Sequence, residues 1–125
     1  MTELRLIKLW HLIGALMIVF IFYMTLTPNP VDLTWRWSDK LYHFSGYFGL
    51  MAWYAQLLKR RMIAVVLFVL MGIGLESAQL LVSARSFEWA DMVANVLGVV
   101  VAAILFRGVL TRLLAFFEIK LLSRI

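Results

Sequence analysis

The sequence contains no cysteine. Without thiols there is no disulfide framework, no thiolate metal site and no cysteine nucleophile. It also lacks an HExxH pair, a Ser-His-Asp order and a phosphate-cradling glycine loop, so the familiar signatures of zinc proteases, serine hydrolases and P-loop enzymes are missing. No internal repeat is visible, which weighs against a transporter built from inverted halves. Polar residues are scarce. Of the 125 residues, 64% are apolar, against about 45–50% in a soluble domain. A water-soluble fold has nowhere to put that surplus, so a single membrane domain over residues 1–125 is expected. The net charge of +5 does not point to nucleic acid, because excess Lys/Arg in a membrane chain gathers in cytoplasmic loops.

What is present is a series of four apolar spans, at about 9–26, 41–58, 62–82 and 89–106. Each is near the ~20 residues that a helix needs to cross a bilayer. The expected fold is all-α: a four-helix transmembrane bundle with a basic C-terminal surface helix over 108–125. A continuation of the fourth helix is the alternative for that tail. Pro28 and Pro30 end the first helix, Ser38 is a candidate N-cap of the second, and Ser86 of the fourth. The ridge Ala90, Ala94, Gly98, Ala102 would let another backbone approach the fourth helix closely. The first span is too long for a signal peptide and no small-x-small cleavage site follows it, so it reads as a retained helix.

Lys/Arg placement sets the expected topology. Nine basic residues lie in the N-terminal arm (Arg5, Lys8), the linker Lys59, Arg60, Arg61 and the tail (Arg107, Arg112, Lys120, Arg124). The two other connections hold only Arg36, Lys40 and Arg85. The positive-inside rule then puts both termini in the cytoplasm and those two connections outside. Trp35, Trp37, Tyr42 and Trp89 would sit at the outer interface, where amphipathic rings prefer to lie.

The ionisable residues inside the spans are the informative ones, since each costs about 2.5–3.5 kcal/mol at mid-helix on insertion scales. They fall on one side of the membrane. Asp39, Lys40 and His43 open the second helix, Glu76 and Gln79 lie near the outer end of the third, Arg85 follows, and Asp91 and Asn95 open the fourth. Asp39/His43, Glu76/Gln79 and Asp91/Asn95/Gly98 each share a helix face by spacing. Turned toward one another, the three stripes form an outward-facing pocket in which each polar group finds a partner. Taken singly the residues have plainer readings: Asp39 as a helix-start acid, His43 as a buried hydrogen-bonding residue, Arg85 and His11 as interfacial groups. Glu76 is the hardest to treat so, being well inside its span.

The ordered set "DKLYHFSGYFGL", "GLESAQLL" and "RSFEWADMVANVLGVVVA" resembles the VanZ-like family of small bacterial membrane proteins. The elements Asp39-Lys40-x-x-His43, Glu76-x-x-Gln79, Arg85 and Asp91-x-x-x-Asn95-x-x-Gly98 occur in the family's order. The resemblance spans about 22–102. It implies the bacterial cytoplasmic (inner) membrane, a cell-envelope role, and a link to antibiotic resistance of the low-level teicoplanin type. It does not imply a reaction.

Three functions are then weighed. The pocket binds or modulates a lipid-linked peptidoglycan-type ligand, with Arg85 and Lys40 meeting its phosphate or carboxylate. Or an intramembrane enzyme uses His43 with Glu76 or Asp91 as acid and base. Or the chain is a small proton-coupled carrier, which would call for a dimer. A purely structural polar network is the plain alternative. The expected partners are the lipid bilayer, a lipid-linked envelope precursor and further copies of the chain. No cofactor is expected and no metal is assigned, although His43, Glu76 and Asp91 form a feasible ligand set.

Overall fold

A computed structural model describes residues 4–28, 38–82 and 87–125. Five α-helices account for most of them: α1 (Ile7–Leu26), α2 (Ser38–Ala55), α3 (Arg61–Ala78), α4 (Trp89–Leu105) and α5 (Leu113–Leu122). Two 3₁₀ turns, Gln79–Leu81 and Gly108–Arg112, follow α3 and precede α5. No strand occurs among the described residues.

The four apolar spans correspond to α1–α4 within a few residues. α2 already begins at Ser38. Ser86, the expected cap of α4, lies outside the described residues, and the residue leading into α4 is Glu88 in extended conformation with no side-chain cap. Two helical segments, Ile7–Leu26 and Arg61–Leu81, are long and apolar enough to cross a bilayer, and a third exists if α4 and the segment after it form one bent span. Exposed apolar faces fit that reading. α1 buries only Trp10 and Gly14 and turns Leu12, Leu16, Val19 and Phe20 outward. α3 does the same with Met62, Val66, Leu67 and Leu70.

α2 is the centre of the molecule despite being the most polar of the long helices. It buries Tyr47, Leu50, Met51, Ala52 and Ala55 in a core shared with Ala64 and Phe68 of α3 and Val99 and Ala102 of α4. α2 and α4 pack most closely of all the pairs, and the small-residue ridge explains why. Ala94, Gly98 and Ala102 are buried, whereas Ala90 at the ridge's start is exposed. A Cβ at Gly98 would meet the Phe44 carbonyl oxygen and come within 3.0 Å of the Phe48 nitrogen. Small residues of this kind let two helix backbones approach closely.

The tail does not continue α4. The chain turns by 94° between α4 and the segment after it, through Gly108 at φ +57°, a left-handed conformation that glycine adopts without steric cost. α5 folds back so that Leu114 packs with Trp10 and Leu57. The tail is therefore docked on one face, by residues that no surface-helix pattern in the sequence singled out.

Candidate functional site: a histidine–carboxylate cluster between three helices

His43 lies one turn into α2 with its side chain 12% exposed. Its Nδ1 is 2.8 Å from Asn95 Oδ1 on α4. The Asn95 amide nitrogen donates to the Gly72 carbonyl of α3 at 3.3 Å. Asn95 Oδ1 must then accept, so Nδ1 of His43 carries a proton and Nε2 is the nitrogen turned toward the two aspartates. Nε2 faces Asp39 Oδ1 at 3.8 Å and Asp91 Oδ2 at 3.7 Å, both beyond hydrogen-bond reach.

Lys40 occupies the other edge of those carboxylates. Its Nζ is 3.5 Å from Asp39 Oδ2 and 3.0 Å from Asp91 Oδ1, and it also bonds Glu88. Asp91 is almost fully buried, and its Oδ1 sits beside the ammonium without the alignment of a hydrogen bond. Glu76 is wholly buried. Its Oε1 accepts from the Glu88 backbone N–H at 3.1 Å. Its Oε2 has no hydrogen-bond partner and lies 4.0 Å from His43 Nδ1. The Tyr47 hydroxyl, one turn further along α2, is likewise buried and unpartnered.

Three helices thus deliver Asp39, Lys40, His43, Glu76, Asp91 and Asn95 to one place. Gln79 is not among them. α3 gives way to a 3₁₀ turn at Gln79, and its amide donates instead to the Thr25 carbonyl at the end of α1, at 2.9 Å. Arg85 lies outside the described residues. Of the residues feasible as metal ligands, Asp39, His43 and Asp91 bring one donor atom each within 4.8 Å of one another. Glu76 faces the protonated nitrogen of the ring instead, so Asp39 takes the place expected for it.

Glu88 belongs to none of the sequence motifs, yet it joins Lys40 through its side chain and Glu76 through its backbone. Nothing in its spacing marks it, because it precedes α4 in extended chain. Comparison with protein-family models, with curated proteins and with solved structures finds no match.

A wide groove of about 960 Å³ opens at the opposite end of the bundle, lined by Lys59, Arg60, Arg61 and Arg112 among apolar residues. It brings no acid or histidine together, so the cluster is the better candidate for chemistry.

Proposed function

We propose that the chain is a multi-pass membrane protein of the VanZ-like type. In this reading α1–α4 cross the cytoplasmic membrane with both termini and the Lys59–Arg61 linker inside, and α5 lies at the inner surface. The His43 cluster then opens outward and binds or modulates a lipid-linked peptidoglycan-type ligand, in a role akin to low-level teicoplanin resistance. The observation that carries the reading is the convergence of His43, Glu76, Asp91 and Asn95 from three helices at one end. A buried set of this kind inside lipid-facing helices is more costly than packing alone would require. The exposed Tyr42 and Trp89 at the same end suit an outer interface, and the basic groove at the other end suits the cytoplasmic side.

Lys40 is held by three carboxylates, so it is not the phosphate-binding group of this proposal. Arg85 remains the candidate for that role. The test is binding of a polyprenyl-pyrophosphate-linked disaccharide peptide to the full chain in lipid nanodiscs. Arg85→Ala and His43→Ala should each weaken binding at least tenfold, and unchanged affinity in both would remove the pocket from the reading. A second reading, an enzyme acting on the same head group, is favoured by the His43 ring lying between Asp39 and Asp91, where it could exchange a proton. Turnover of that lipid by the wild-type chain, lost in His43→Gln, would select it.

A further inference from the structure

The geometry points to a divalent transition-metal site formed by Asp39 Oδ1, His43 Nε2 and Asp91 Oδ2. Donor atoms around one ion, each about 2.1 Å from it, lie about 3–4.2 Å from one another. The 3.8 Å and 3.7 Å separations from Nε2 fall in that range. They are too long for hydrogen bonds, so the donors converge without satisfying each other.

The surroundings are those of a ligand set. A metal-binding imidazole needs its second nitrogen tied down, because that bond fixes the tautomer and the ring's orientation. Asn95 does this, and Gly72 in turn holds Asn95. Each aspartate gives one oxygen to Lys40 and turns the other to the histidine. Lys40 thereby orients both carboxylates, each by the oxygen turned away from the ring.

Charge gives an independent reason. Asp39, Glu88 and Asp91 meet the Lys40 ammonium, and Asp39, Glu76 and Asp91 lie within 4.0 Å of the His43 ring, so four carboxylates share one lysine and one imidazole among the described residues. Buried charges need pairing, and a divalent ion would offset negative charge that a single lysine leaves over. The fully buried and unpartnered Glu76 Oε2, aimed at the same histidine, points to the same deficit. One imidazole with two carboxylates and no thiolate suits Mn²⁺, Fe²⁺ or Zn²⁺. Three protein ligands leave positions open for water or for the oxygen of a head group. The inference deepens the proposed pocket but stands on its donor geometry, not on the identity of the lipid.

The test uses the full chain in detergent micelles, stripped with EDTA and titrated with MnCl₂ alone, the free ion being followed by electron paramagnetic resonance. Wild type should take up one Mn²⁺ per chain in a saturable step, competed by Zn²⁺. His43→Gln and Asp39→Asn should weaken uptake at least tenfold, and Asn95→Ala by about 10–100-fold as an orienting residue. His11→Ala, at the far end of α1, should bind as wild type. Absence of saturable uptake in wild type overturns the inference, as does equal uptake by His43→Gln. Should His43→Gln lose its helical circular dichroism, the partly exposed Asp39→Asn decides, and unchanged uptake there overturns the site. Mn²⁺ uptake without lipid binding would keep the metal site and remove the head-group reading. Lipid binding without Mn²⁺ uptake would do the reverse.

Discussion

Glu118 and Glu76 are buried at opposite ends of this molecule, and they are treated in opposite ways. Glu118 on α5 accepts three N–H bonds, from the Arg5 amide at 2.6 Å, the Leu6 amide at 3.0 Å and the Trp10 indole at 2.7 Å. It closes the start of α1, where free amides and the helix dipole favour an anion. Its neighbours are equally settled. The Trp53 indole donates to the Trp10 carbonyl, and Gln56 accepts from the Leu114 amide. Glu76 has one backbone bond and one bare oxygen, and it faces a histidine and further acids. A carboxylate whose bonds are complete is a joint. One left incomplete, among others also left incomplete, is where the proposed metal site would act.

The largest effect should come from Gly98, because both the core and the cluster depend on the close approach of α2 and α4. Gly98→Val places new atoms against the backbone at Phe44 and Phe48. No side-chain motion relieves that clash, so the cost should exceed ~3 kcal/mol. Thermal unfolding in detergent would show loss of the cooperative transition. A normal transition would mean that the two helices can part, and that His43 and Asn95 need not meet.

The next test applies one substitution to both acids. Glu118→Gln puts an amide nitrogen where N–H donors converge, and should lower stability by about 1–3 kcal/mol while leaving Mn²⁺ uptake unchanged. Glu76→Gln removes a buried charge that lacks compensation, and should shift stability by less than about 1 kcal/mol, upward if at all. Opposite signs in a denaturant series would sustain the contrast. Equal losses would make Glu76 a joint as well. Acid should single out Glu118. Burial opposes its ionisation, but the Trp10 indole and the Leu6 and Arg5 amides outweigh burial and hold its pKa below the ordinary glutamate value. The stability it adds is therefore complete above its unfolded pKa of about 4.3 and is lost as pH falls through the lower native value. The Trp10 indole N–H resonance should stay constant from pH 7 to about 5 and move only below the ordinary range. Movement near neutrality would contradict the assignment.

How much of this was legible in the sequence depended on distance along the chain. The helices were readable because each is a local run of apolar residues. The cluster was readable because Asp39/His43 and Asp91/Asn95 are each one turn apart, and two such pairs near a buried Glu76 have few ways to be satisfied. Which nitrogen of His43 faces which acid was not readable, since it follows from Asn95 being held by Gly72 on a third helix. Glu118 was missed because its partners lie more than a hundred residues away, at the other end of the chain. Its only local signal, one acid in an apolar basic tail, looks the same on a free surface helix.

Gln79 gives the finest test of where the site ends. Its place three residues after Glu76 suggested a shared stripe, but the 3₁₀ turn carries its amide to the Thr25 carbonyl. Gln79→Ala should then cost only about 0.5–1.5 kcal/mol, the net worth of one hydrogen bond. It should loosen the junction between α1 and the end of α3, visible as faster hydrogen exchange near Thr25. Mn²⁺ uptake and lipid binding should not change, because no atom of Gln79 supports the ring of His43. A tenfold fall in either would return Gln79 to the pocket and would mean that the end of α3 rewinds when the ligand is bound.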